Sequence, residues 1–317
     1  MLDETGFQLA VAAAMRAPSV HNTQPWRFRR DTDTIEVLAD RTRQLTAEDP
    51  LGRELLISCG AATRQLFLAL RNGGHAAVCD LLPDPVQPEV VARITVAGSR
   101  PATLPETELF TALWTRHTRR EPFATTPVAD EVVERLRAIA AADGCRLDVV
   151  GPTAATSIAV LTTHGERVLE TDPELWEEQQ HWTTGPSQAR GVAPSAAQAR
   201  GSDVPLRRFG DTRVAPGGYE PPAPEHPTLV VLSTPTDRPT DWLTAGWALA
   251  DLLLTLEGQG LAASPLTQAL EVPSLREQFR GALGLSDHPQ MLLRIGFPGP
   301  ESSAPSGRRP LSDVVVS

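Results

Sequence analysis

Residues 18–28, PSVHNTQPWRF, gather more side-chain donors and acceptors into one turn than any other stretch of the chain. Pro18 closes the helical run before it, and Ser19 and Asn22 are types that bond nearby backbone instead of extending a helix. Pro25 drives Gln24 toward an extended backbone. Trp26 and Phe28 then alternate with Arg27 and Arg29, as in a half-buried strand. The expected result is a helix-to-strand corner presenting Ser19, Asn22 and Gln24 together. Amides offer both a donor and an acceptor, so such a corner suits a flat heterocycle carrying carbonyl and ring-nitrogen positions. A capped turn around a core Trp uses the same residues.

Three further stretches carry possible chemistry. In LWTRHTRREPF, residues 113–123, Arg116, Thr118, Arg119 and Arg120 stand close together. Two guanidinium forks and one hydroxyl can meet the three oxygens of a phosphate monoester, although a solvated basic turn has the same composition. GQGLAASPL, residues 258–266, contains Gly-x-Gly-x-x-Ala, yet it follows an amphipathic helix and soon reaches Pro265. A dinucleotide fingerprint must follow a strand and open a helix, so that reading is rejected. Near the C-terminus, Arg308 and Arg309 precede Pro310, in either a closing segment with a task or a frayed end.

The elements that must position these residues follow from periodicity. Helices are expected over 3–17, 52–72, from 104 to Thr115, 129–142, 240–257 and 274–283, with a long helical region ending in WEEQQHW. A hairpin is expected over 26–38, turning at Asp31, Thr32 and Asp33, and strands over 75–82, 90–97, 147–150, 228–234 and 290–297. The helix over 52–72 is apolar enough to belong in the middle of the protein. Asp49 and Glu54 are expected to cap it, and Cys59 to pack inside it. A similar order of elements begins again near residue 104. The chain therefore reads as an α+β protein of two tandem helix-rich units, 1–103 and 104–317. Between Trp182 and Pro227 the apolar period is lost, and residues 183–227 read as a linker or a lid over a ligand.

Composition narrows the function. The 317 residues are 41% hydrophobic and 21% charged, ordinary globular material with enough chain for a sizeable core. A net charge of −10 argues against a nucleic-acid binder. No apolar run has the length of a membrane span, and the N-terminus lacks a basic-then-apolar secretory pattern. Three widely spaced cysteines read as reduced thiols of a cytoplasmic protein. All 29 basic residues are arginine, which excludes a Walker-type lysine, a Schiff-base lysine and a pyridoxal anchor. Any phosphate must be held by guanidiniums, hydroxyls and backbone N–H groups. The seven histidines are scattered, no metal-ligand spacing appears, and Gly-x-Ser-x-Gly is missing. His21, inside the corner, reads as a structural residue.

PSVHNTQPWRF resembles the PSSxNxQPWxF segment of the nitroreductase superfamily. The resemblance implies FMN as cofactor, with Ser19, Asn22 and Gln24 lining its ring. The segment around Arg116 is similar to the family's RRSxR phosphate-binding motif, which falls on Arg116, Thr118 and Arg120, with His117 in place of the second Arg. GQGLAASPL looks like the GLGxxxxP segment, in which Ala263, Ser264 and Leu266 would supply backbone N–H groups beside Pro265. The closing segment implies a phosphate contact from Arg308 or Arg309. Residues 40–62 together with HNTQPW resemble the Acg-like branch, in which one chain imitates the usual homodimer and keeps one lidded flavin site.

The resemblance thus implies an intrachain pseudo-dimer with antiparallel sheets, acting as a monomer or as a homodimer of such chains. It implies hydride uptake from NAD(P)H and ping-pong reduction of a small flat electron-poor substrate, a nitroaromatic or a quinone. No side chain need serve as an acid–base catalyst, because the flavin carries the chemistry. A flavin-sequestering protein with a closed lid, or a dedicated dehydrogenase of a biosynthetic pathway, would use the same residues. In the latter Trp176, Trp182 and Tyr219 would touch substrate.

Overall fold

The structure, a computed structural model, describes residues 2–183, 191–192, 227–299 and 305–316. The segment expected to form a lid, and Tyr219 with it, lies almost entirely outside the described residues. The described elements run α1 (Glu4–Ala14), β1 (Trp26–Asp31), β2 (Thr34–Ala39), α2 (Arg53–Asn72), β3 (His75–Leu81), β4 (Val90–Ser99), α3 (Leu104–Thr115), α4 (Asp130–Ala142) and β5 (Arg146–Val149). They continue with α5 (Pro152–Thr171), α6 (Pro173–Thr183), β6 (Thr228–Thr234), α7 (Pro239–Gly258), β7 (Ala262–Pro265), α8 (Gln268–Glu271), α9 (Pro273–Ala282), β8 (His288–Gly296) and β9 (Val315–Val316).

Two compact units result. The first contains Met1–Arg116, Asp237–Gln259 and Gly307–Ser317, and the second His117–Thr236 and Gly260–Ser306. The expected halves, 1–103 and 104–317, are contiguous, whereas each compact unit is assembled from separate stretches. The reason lies in α2, whose sides are nearly all buried, including Leu55, Cys59, Leu66 and Leu70. A helix buried on every side needs partners beyond one sheet, and α7 supplies one from late in the chain. A Cβ on Gly60 would sit 2.1 Å from the Leu243 carbonyl oxygen, and one on Gly246 2.0 Å from that of Ile57. Glycine at both positions is what lets the two backbones approach so closely.

The first unit's sheet has the order β3-β4-β2-β1-β9. Its pairs are antiparallel except β1 with β9, where Phe28 faces Val315 and Arg29 faces Val316. The hairpin turns where expected, with Thr32 at φ 48°. The C-terminal residues are therefore not frayed, since they add an edge strand beside the corner. The second unit's sheet, β5-β6-β8-β7, is wholly antiparallel. Its core joins Ile158 of α5, Val231 of β6, Leu266, Leu270 of α8, Phe279 of α9 and Leu292 of β8. Residues 262–265 are a strand following a helix, with Ser264 opposite Arg294, so the glycine pattern at 258–263 is not a dinucleotide turn.

Candidate site at the helix-to-strand corner

The corner is bent harder than its sequence suggests. His21, Asn22 and Gln24 all have positive φ, at 46°, 54° and 50°, so Gln24 does not take the extended backbone expected before Pro25. Left-handed backbone costs a non-glycine residue roughly 1–2 kcal/mol, and the cost persists only where surrounding contacts impose it. Ser19 Oγ accepts from the Gln24 N–H at 3.0 Å. His21 Nε2 lies 2.9 and 2.8 Å from the two oxygens of Glu48, with both side chains about 1% exposed. Below the turn, the thiol of Cys59 donates to the Pro25 carbonyl at 3.2 Å, and burial pushes its pKa up. Asp49 accepts from the Leu55 N–H at 2.9 Å, the expected cap on α2.

The C-terminal segment completes the corner. Asn22 Nδ2 donates to the Gly307 carbonyl at 3.1 Å, and the Arg309 N–H donates to Gln24 Oε1 at 3.0 Å. Arg309 Nη1 reaches the carbonyls of Gln24 at 3.1 Å and Trp26 at 3.4 Å, while Nη2 donates to the Asp313 carbonyl at 2.6 Å. Arg308 donates through Nε to Met15 O at 2.6 Å, through Nη1 to Asn22 Oδ1 at 3.2 Å and Gly307 O at 3.0 Å, and through Nη2 to Arg16 O at 3.1 Å and Ala17 O at 3.4 Å. The expected amides and C-terminal arginines are thus brought together, but as one hydrogen-bonded network.

Arg16 and Arg116 complete the cluster. Arg116 Nη2 donates to the Arg16 carbonyl at 3.0 Å, and Arg16 Nη2 to the Trp114 carbonyl at 3.1 Å, so the ends of α1 and α3 brace each other. The Nε of each is buried with no hydrogen-bond partner among the described residues. Burial, with the Arg16 charge added, lowers Arg116 to about 10, and burial with the charges of Arg116 and Arg16 lowers Arg308 to about 9. Arg116 and Arg308 remain cationic at neutral pH, a concentration of like charge that favours an anion. Sequence reasoning missed Arg16 and Glu48. The available signal for Arg16 was a basic residue at a helix end with no carboxylate within four positions on either side.

The remaining expected residues belong to the second unit. Within it the Arg119 N–H donates to the Ala263 carbonyl at 3.3 Å, so the arginine-rich turn and the Ala-Ser-Pro strand adjoin. Ser264 is buried. The Leu266 N–H, expected to face a ring, instead donates to the Leu292 carbonyl at 2.9 Å, because the strand register claims it. Arg120 contributes backbone bonds: its N–H donates to Glu121 Oε2 at 3.0 Å and its carbonyl faces Arg294 Nη2 at 3.5 Å. Thr118 stands in the same turn. No group of three or more metal-ligating side chains occurs among the described residues, and no helix among them is long and apolar enough to cross a membrane.

Comparison with known proteins identifies the family. The Nitroreductase family profile matches residues 113–297. "Putative NAD(P)H nitroreductase Rv3131" of Mycobacterium tuberculosis is 33% identical over 325 residues, which span 99% of this chain and 92% of the relative. The chain belongs to the nitroreductase family. Within it, "Putative NAD(P)H nitroreductase acg" of the same organism is 31% identical over 316 residues, covering 96% of this chain and 93% of the relative, which places the chain in the Acg-like branch. "Uncharacterized protein Rv3127", again from M. tuberculosis, is 32% identical over 320 residues, covering 96% and 91%. The nitroreductase fold and the mixed α+β class expected from the sequence therefore stand.

Proposed function

We propose that this nitroreductase is an FMN-dependent oxidoreductase that takes hydride from NAD(P)H and reduces a small, flat, electron-poor substrate of the nitroaromatic or quinone type in ping-pong fashion. The observation that carries the reading is the buried guanidinium cluster beside an amide-lined corner. Arg116 keeps open donors in a buried place, which fits the phosphate of FMN. Asn22 and Gln24 fit the ring's polar edge, held ready by Gly307 and Arg309. FMN when bound supplies reversible hydride transfer. The chain's own residues bind, orient and exclude water. Ser19 and the His21–Glu48 pair hold the strained turn, and Trp26, fully buried, walls it from below. In the second unit, the Arg119–Ala263 bond supports the turn carrying Thr118 and Arg120 against the strand carrying Ala263, Ser264 and Pro265. We further place the protein in the cytoplasm, with one site per chain, as a monomer or a homodimer of such chains.

The test is direct. The purified protein is expected to carry flavin absorbance, or to acquire it on addition of FMN, and to bleach when titrated with NADPH without oxygen. Initial rates at varied NADPH and quinone should give parallel double-reciprocal lines. A protein that neither holds nor takes up FMN overturns the reading, and intersecting lines overturn the ping-pong order.

A further inference from the structure

We propose that β3 is an interaction edge whose partner is the β3 of a second copy of this chain, paired antiparallel about a two-fold axis at Val78. The pairing involves the first unit alone and does not depend on the flavin reading.

β3 is the outermost strand of the first unit's sheet. Its register with β4 shows which of its backbone groups are already engaged. The Leu82 N–H donates to the Val91 carbonyl at 2.9 Å, one step beyond the pair Leu81–Ala92. In an antiparallel ladder, residues that bond one neighbour alternate with residues that turn their N–H and C=O to the other side. Asp80 and Val78 therefore bond Arg93 and Thr95 of β4. Ala77, Cys79 and Leu81 turn outward, where their backbone groups meet no partner among the described residues. The other side of β4 agrees, since the Val96 N–H donates to the Asp33 carbonyl at 2.8 Å and so leaves Thr95 to β3.

Native sheets protect such an edge by short length, charge or proline. The other described edges have these devices. β9 is two residues long, β5 is four residues with Arg146 and Asp148, and β7 is four residues ending at Pro265. β3 runs for seven residues, HAAVCDL, with one carboxylate, no Lys, Arg or Pro, and a register shift only at its start. Val78, at its middle, is 56% exposed.

Symmetry selects the occupant. Pairing about Val78 sets Ala77 opposite Cys79 of the second copy, Ala76 opposite Asp80, and Val78 opposite itself. Ala77 and Cys79 are outward-bonding residues, so each such pair exchanges both of its N–H···O bonds. Val78 falls at a non-bonded position, where Cα atoms lie roughly 4.5 Å apart and an apolar side chain meets its own copy. Neither Asp80 faces another charge. A head-to-tail contact with β9 would offer only two residues, whereas the two-fold contact closes on itself.

The experiment is sedimentation of the full chain over a concentration series. The wild type should associate to a dimer. Val78→Lys, which sets two ammonium groups face to face from an exposed position, should raise the dimer dissociation constant about tenfold or more, with the circular dichroism of the fold retained. A second measurement fixes the register. In a Cys79→Ser background, Val78→Cys should form an intermolecular disulfide under mild oxidation, because the paired Cα atoms fall within about 4.4–6.8 Å. Asp80→Cys, which faces Ala76, should not. A wild type that stays monomeric at every concentration overturns the pairing, whether or not a foreign extended peptide binds the edge. A dimer that survives Val78→Lys unchanged overturns it as well, and so does cross-linking by Asp80→Cys as efficient as that by Val78→Cys.

Discussion

Arg71 and Arg116 are both buried arginines at helix C-terminal ends in the first unit, yet they solve opposite problems. Arg71, at the end of α2, is fully buried and matched on all sides. It meets Glu106 at 2.9 and 3.2 Å, the carbonyls of Arg100 and Pro101 at 3.1 Å, and the carbonyl of His75. Arg116, at the end of α3, makes one bond to a carbonyl and faces other arginines. The first arrangement leaves nothing for a ligand. In the second, donors and charge are held out of water and the buried Nε of Arg116 meets no acceptor among the described residues. A buried charge that is fully partnered speaks for structure, and one that is under-partnered speaks for function.

The largest effect expected from this contrast is on stability. Arg71→Leu removes the guanidinium shared by Glu106 and three carbonyls and should cost about 3 kcal/mol in denaturant unfolding, even though Glu106 keeps the Thr103 N–H at 2.7 Å. Arg116→Leu should cost almost nothing, or stabilise by about 1 kcal/mol, because it removes an unmatched charge. Equal losses for the two variants would erase the distinction. Glu48→Ala comes next, at about 2 kcal/mol, since it deprives buried His21 of its carboxylate and frees a strained turn. Glu48→Gln should retain much of that stability.

The same contrast among carboxylates gives slopes of opposite sign with pH. Burial, then the nearby Glu54 charge, raises Asp49 to about 7. The native carboxyl therefore holds its proton where the unfolded chain has released it, and this group's contribution to stability falls as pH rises from about 4 to 7. Asp49→Asn, which keeps an acceptor for the Leu55 N–H, should abolish that descending limb. Glu36 is raised by its partial burial but lowered further by the hydrogen bonds from Arg93 and Arg29, and its pKa falls on balance. Its contribution is present above its ordinary value of 4.5 and is lost as pH falls through its lowered value. A pH titration of unfolding free energy in Asp49→Asn and Glu36→Gln checks both signs. The smallest effect is expected at Arg137, whose partner Glu134 is 66% exposed. Arg137→Ala should change stability by less than about 0.5 kcal/mol, which would show that burial and not pairing alone sets the cost.

Much of the first unit was legible because its signals are local. Pro18, the alternation Trp26-Phe28 and the apolar spacing of α2 place the corner, β1 and the central helix within a few residues of their observed limits. The 3–17 helix ends early, at Ala14, because the Met15, Arg16 and Ala17 carbonyls turn to Arg308. The Leu266 N–H could not be read from its own segment, since its acceptor lies on β8. Nor could the edge strand β9, whose two residues pair only when brought beside Phe28 and Arg29.

Sequence alone determined the α+β class, the resemblance to nitroreductases and the demand that any phosphate be met by arginine, because each depends on residue type and short spacing. Only the tertiary structure decided which arginines are committed to carbonyls and which keep their donors. Hydrogen-bond partners 98 and 293 residues apart, as in Arg16 with Trp114 and Arg308 with Met15, leave no trace in local pattern. The five donors of a guanidinium can be counted only once the chain has folded back upon itself.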